Sequence, residues 1–259
     1  MTASLREIKV YTTFPHRCSY LAGEEATTLF VDPRQKLSRE LYTQLSLLGF
    51  RRSGDHVYRP HCNKCNACIA SRVRVAEFKP SRAQRRMERR NTDLRLEVSE
   101  SILDDEAYGL YRYYIESRHA DGDMYPPERE QYESFLNNGL GCANYYRLYQ
   151  GNRLVAVTVA DEMLDGLAAI YTFFDPDQPQ RSLGTEAVLL QIRQAKLRGL
   201  PYVYLGYWID GCRKMSYKAS FSPLELFIDG QWQQQKTTQT VAPDTDAVVN
   251  LLEPSITDS

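Results

Sequence analysis

Between residues 145 and 207 the chain passes through three β-rich runs, one helix and a last strand, an order that few architectures accept. Tyr145–Tyr149, Leu154–Ala160 and Leu167–Phe174 are the three runs, and Gly151-Asn152 and Asp165-Gly166 join them as hairpin turns. After Asp175-Pro176-Asp177 a helical period from about Leu183 to Arg198 turns Ala187, Leu190, Ile192 and Ala195 toward a core. Pro201 then leads into Tyr202–Tyr207. Three antiparallel strands, a helix and one more strand predict an α+β sandwich.

The first half reads differently, as short elements around cysteines. Ser38 caps a helix with Leu41, Leu45 and Leu48 on one face and Gly49 as its stop. Ser81 to Asn91 reads as a basic helix, and Asp104 to Arg118 buries Ala107, Leu110, Tyr111, Tyr114 and Ile115. Pro127 suits the first turn of a further helix that buries Tyr132, Phe135 and Leu136. The expected division is a cysteine-rich domain with its basic helix (1–95), an α/β sandwich (96–240) and an acidic, loose tail (241–259). That tail carries four acidic residues and no basic one. No run approaches the roughly 18 apolar residues of a membrane span. The charged start MTASLREIKVYTTF lacks a signal peptide's apolar core, so we expect a cytoplasmic protein without membrane contact.

Six cysteines in that compartment point to metal or chemistry before disulfides. Cys62, Cys65 and Cys68 stand three residues apart beside His61, and Cys18 is the candidate fourth thiol. Soft thiolates select zinc or an iron–sulfur cluster, and a purely packed cluster is the competing reading. Cys142 and Cys212 stand alone and read as packing.

Net charge of −1 hides a segregation. Residues 72–95 hold nine Arg or Lys against Glu77, Glu88 and Asp93. Arg82, Arg85, Arg86, Arg89 and Arg90 fall on one face of one helix, a stripe suited to the phosphates of a nucleic acid. A solvated face is the plainer reading.

The strand order of the second half also matches the core of the acyl-CoA N-acetyltransferase fold. There the loop before the central helix grips a pyrophosphate with its backbone amides. Arg181 and Gly184 fit that loop, but Glu186 puts a carboxylate where phosphates would lie, so coenzyme A is not expected.

Two blocks resemble one family. The first is Cys18-Ser19-Tyr20-Leu21, Gly49-Phe50-Arg51-Arg52-Ser53-Gly54, Tyr58-Arg59-Pro60 and the cysteine cluster. The second runs from Tyr171 through Ser182-Leu183-Gly184 and Tyr204-Leu205-Gly206-Tyr207-Trp208-Ile209 to Lys214-Met215, Tyr217-Lys218 and Pro223. Together they resemble the arginyl-tRNA–protein transferases, above all their bacterial, leucine-transferring branch. The resemblance implies transfer of an amino acid from aminoacyl-tRNA to the α-amine of proteins that begin with Asp or Glu, feeding N-end rule degradation. Arginine as the donor, or a metal-stabilised RNA-binding protein without catalysis, are the alternatives. Family members with C-x-x-C have a second cysteine where this chain has Leu21, which leaves the metal open.

An aminoacyl ester is already activated, and an N-terminal amine with a pKa of about 8 is partly free base near neutrality. Orientation and oxyanion stabilisation are then the main tasks. An acidic first residue calls for a cation, and Lys214 and Lys218, with Tyr217 between them and Arg17 upstream, are the candidates. A solvated basic loop is the competing reading. Asp161 and Tyr207 are candidates to hold or deprotonate the amine, with a simple turn role open for Asp161.

Overall fold

The computed structural model describes residues 5–122, 124–137 and 139–235. The expected acidic tail at 241–259 lies outside the described residues.

The first sixty residues build two small sheets. Strands β1 (Val10–Thr12), β2 (His16–Arg17), β3 (Glu25–Ala26) and β4 (Thr28–Val31) precede helix α1 (Arg39–Leu47), and β5 (Arg51–Ser53) and β6 (His56–Pro60) follow it. β1, β4, β6 and β5 pair in that order, and β2 pairs with β3. The Ser38 hydroxyl accepts from the Leu41 N–H at the start of α1, and Gly49 turns left-handed at φ 85° just past its end. Leu41 and Leu45 are buried, but Leu48 lies past the last turn and stays exposed.

The rest of the chain is a mixed α/β layer around one large sheet. Its elements are β7 (Ile69–Arg74), α2 (Arg82–Arg90), β8 (Leu94–Ser99), α3 (Asp105–Arg118), α4 (Arg129–Leu136), β9 (Ala143–Gln150), β10 (Arg153–Glu162), β11 (Gly166–Phe174), α5 (Leu183–Leu197), β12 (Tyr202–Trp208), β13 (Leu224–Ile228) and β14 (Gln231–Gln234). A 3₁₀ helix, Arg213–Ser220, links β12 to β13. The sheet order is β14-β13-β7-β12-β11-β10-β9-β8. Only β11 and β12 run parallel, as the intervening helix α5 demands. β7 comes from the cysteine-bearing half, so the sheet crosses the boundary expected at residue 95, which itself falls inside β8.

Both faces of the sheet are covered. Along β11, Ala168 and Ile170 join the core under α3 and α4, whereas Leu167 and Ala169 join the core beneath α5. That alternation is the pleat at work, and it explains why β10 is buried almost end to end instead of every second residue.

Candidate active site

β11 and β12 pair for only three residues each, Gly166–Ala168 against Tyr202–Tyr204. Just beyond, each strand carries an irregularity on its other side. Ile170 is skipped where β10 steps from the Val159–Tyr171 pair to the Ala160–Ala169 pair. Leu205 is skipped where β7 steps from Arg72–Tyr204 to Ser71–Gly206, and Gly206 sits at φ 79°. An extra residue bends and twists its strand. The two parallel neighbours therefore part, and their carbonyls turn to side chains.

Three side chains meet carbonyls of these two strands. Ser71 Oγ donates to the Gly206 carbonyl at 2.9 Å, and Arg51 Nη2 donates to the Ala169 carbonyl at 2.6 Å. Lys218 Nζ donates to the Tyr207 carbonyl. Arg51 is 2% exposed and Lys218 1%. Among the described residues neither forms an ion pair with an acid, and Arg51 Nε is buried without a hydrogen-bond partner. Burial pushes the Lys218 ammonium well below the usual lysine range, and the Arg51 charge pushes it further.

Tyr58, which pairs with Arg51 across β5 and β6, and Tyr207, whose carbonyl Lys218 holds, line a cleft of about 460 Å³ that neither Arg51 nor Lys218 reaches. Tyr207 is 3% exposed, and its hydroxyl donates to the Gly49 carbonyl at 2.9 Å. Burial lifts that phenol well above its usual range, so Tyr207 is a wall and not a ready proton acceptor.

Cys18, Cys62, Cys65 and Cys68 line the same cleft. Cys18 Sγ accepts the N–H groups of Tyr20 and Leu21 at 3.4 Å each. Burial, then the charges of Cys18, Cys62, Cys65 and Cys212, push the Cys68 thiol up to about 12. The thiols are thus neighbours. Among the described residues no three His, Cys, Asp or Glu side chains are grouped closely enough to hold a metal ion as they stand.

The remaining candidates lie elsewhere. Asp161 is fully buried, and its Oδ2 and Oδ1 accept from Arg52 Nε at 2.6 Å and Nη2 at 2.7 Å. Tyr42 Oη donates to the same carboxylate at 3.0 Å. With both oxygens engaged, Asp161 ties β10 to β5 and has no face for an incoming amine. Arg17 and Lys214 are exposed outside the cleft lining. Lys214 bears on His119, whose imidazole burial first, and Lys214 next, lower to about 4. Tyr217 is buried under Lys218, whose Nζ stands 5.9 Å from its ring centre. Arg82, Arg85, Arg86, Arg89 and Arg90 are all exposed on α2, with Gln84 and Met87 turned inward. Arg51 and Tyr58 were named in the sequence only as parts of a motif; a buried arginine on a three-residue strand leaves no periodic signal.

At the start of α5 the loop is occupied by the protein itself. Arg181 grips Asp93 through two bonds of 2.8 Å. Glu186, 4% exposed, takes Arg193 Nη2 at 2.5 Å and faces Asn91 Nδ2 at 3.5 Å.

Comparison with known proteins adds a second line. The model for the N terminus of arginine-tRNA-protein transferase matches residues 16–86, and the model for its C terminus matches residues 106–228. An aspartate/glutamate leucyltransferase of Pseudomonas aeruginosa strain LESB58 is 52% identical over 228 residues, 88% of this chain and 97% of that one. One from Marinobacter nauticus is 51% identical over 235 residues, 91% of this chain and 99% of the relative. Among solved structures, L-PGS from Bacillus licheniformis is 11% identical with a TM-score of 0.40, over 55% of this chain and 47% of that one.

Proposed function

The chain belongs to the arginine-tRNA–protein transferase family, and from that premise we propose that it moves leucine from leucyl-tRNA to the N-terminal amine of proteins beginning with Asp or Glu. One observation carries the reading at the level of the site. Both matched segments contribute to the lining of a single cleft, the first between His16 and Ile69 and the second through Tyr207, Phe227 and Ile228.

The reaction needs little from the protein beyond placement. The acceptor nitrogen attacks the ester carbonyl, the carbon–oxygen bond to the tRNA ribose breaks, and the ribose oxygen leaves with the proton that nitrogen gives up. A bound amine and ester gain most from orientation and exclusion of water. Neither Asp161, locked to Arg52, nor Tyr207, bonded to Gly49, is placed to act as a base.

The donor's RNA fits the outer face of α2, where Arg82, Arg85, Arg86, Arg89 and Arg90 stand in solvent. The scaffold is of the acyl-CoA N-acyltransferase type, supported by the parallel β11–β12 pair and its split. The reading dispenses with coenzyme A, whose usual loop holds Glu186. The enzyme works in the cytoplasm, and its leucylated products enter N-end rule degradation. Zinc or an iron–sulfur cluster on Cys18, Cys62, Cys65 and Cys68 requires those thiols to draw together, and metal analysis of protein purified without air tests it.

A transfer assay decides the function. Leucyl-tRNA and arginyl-tRNA are crossed with peptides that begin with Asp, Glu, Lys or Arg. Leucine on the Asp and Glu peptides alone is the expected result. Arginine transfer would change the donor, and salt-dependent tRNA binding with no product would leave an RNA-binding protein.

A further inference from the structure

We infer that Arg51 and Lys218, acting together across the Tyr58–Tyr207 wall of the cleft, read the side-chain carboxylate of the acceptor's first residue. The inference rests on the transfer reaction proposed above and names the groups that make it selective.

Arg51 and Lys218 hold carbonyls of β11 and β12, and among the described residues neither is paired with an acid. Capping a carbonyl does not require a charge, since the Ser71 hydroxyl does the same for Gly206 on the β7 side of β12. Placing two like charges there costs folding free energy, both by desolvation and by mutual repulsion. A chain keeps such a pair where an anion arrives to complete it. Arg51 retains a buried, unbonded Nε–H. The charges that bear on Lys218 are those of Arg51, Cys212 and Cys68.

The field of the pair reaches the cleft. Arg51 bears on both Tyr58 and Tyr207, and both line it. Lys218 holds the carbonyl of Tyr207 itself. The lining includes the exposed Glu24, Glu25 and Asp229 beside Arg59 and His61. An N-terminal Asp or Glu brings a carboxylate on its side chain and an amine at its end.

The test measures kcat/KM of the full chain for peptides beginning with Asp, Glu, Asn and Gln, with leucyl-tRNA as donor. Arg51→Met and Lys218→Met are expected to lower the Asp-to-Asn ratio about tenfold or more each, chiefly through peptide KM, because the first removes the guanidinium behind the wall and the second the amine that holds the Tyr207 carbonyl. Arg51→Lys keeps the charge and is expected to restore most of the ratio. Lys218→Met is also expected to melt higher than wild type, since a buried, desolvated amine is replaced by an apolar side chain. Folded Met variants with the wild-type ratio would overturn the inference. In case the variants do not fold, the Arg51 Nε–H resonance of the wild type serves instead. It is expected to shift with an Asp peptide and not with an Asn peptide, and equal shifts would overturn the assignment. A wild type inactive on Asp and Glu peptides removes the transfer reading, and the inference falls with it.

Discussion

Arg52 and Asp161 face each other with side chains 1% and 0% exposed, joined by two charge-assisted bonds. Such a pair contributes little net stability, because desolvation offsets most of the attraction, yet breaking it strands a charge. Asp161→Asn is expected to lower unfolding free energy by about 3–5 kcal/mol in urea titrations. The double change Arg52→Met with Asp161→Leu is expected to recover most of that loss, and a double variant as unstable as the single would contradict this account. Arg51, one residue earlier, points to the opposite side of β5 and meets the β11–β12 split. No rule of sequence separates the two arginines. Each role is set by whether a distant strand brings Asp161 or a bare carbonyl. Asp161 read as a candidate to hold the amine or as a turn residue, and neither reading includes Arg52, its partner 109 positions away. His119 offers a pH test at the same scale. Its folded pKa, lowered to about 4 by burial and then by Lys214, lies below the unfolded value near 6.5. The unfolded chain therefore takes up the proton first as pH falls. Stability tied to the neutral imidazole is full above about 6.5 and is lost as pH drops toward 4. NMR titration should show the His119 pKa rising in Lys214→Gln, and no movement would remove Lys214 as a cause.

Helix α2 shows what an element can reveal when its pattern is strong. Ser81 accepts from Gln84 N–H while the Gln84 side chain accepts from Ser81 N–H, a complete capping box. The arginine period then places five cations outward and Met87 inward, so boundaries, orientation and exposed face were all readable from eleven residues. β9 to β12 and α5 were equally legible, because turns and periodicity are local signals. The bulges at Ile170 and Leu205 were not, since each exists only relative to a partner strand. Changing Arg82, Arg86 or Arg89 to Ala should leave melting nearly unchanged, as none is in an ion pair among the described residues, whereas Arg85 and Arg90 also donate to the Pro80 and Gln180 carbonyls. For an arginine that meets a phosphate, the log–log salt slope of tRNA binding should fall by about one. Unchanged slopes across all five would move the RNA to another face.

At the scale of the whole molecule the sheet order matters more than the order of the chain. A division at residue 95 follows composition, since cysteines and arginines crowd the first part. The sheet ignores it: β7 lies between β12 and β13 and pairs with both. Val73 is fully buried there, and Arg72 bonds Glu225 at 2.7 Å while its guanidinium lies 3.6 Å from the Tyr202 ring centre and 4.2 Å from that of Trp232. Without β7, β12 would present an apolar, unpaired edge containing Val203 and Leu205, and β13 would lose its only neighbour other than β14. Exposed edges of that kind pair with other chains. A fragment of residues 96–240 is therefore expected to aggregate or remain unfolded by far-UV circular dichroism and size exclusion. A fragment begun at residue 65, which restores β7, should gain cooperative melting. If the shorter fragment folded alone as a monomer, the long-range pairing of β7 would not be holding the two halves together. The same pairing sets the Ser71 hydroxyl against the Gly206 carbonyl, one residue before the Tyr207 carbonyl that Lys218 holds, so β7 also fixes the strand on which Lys218 bears.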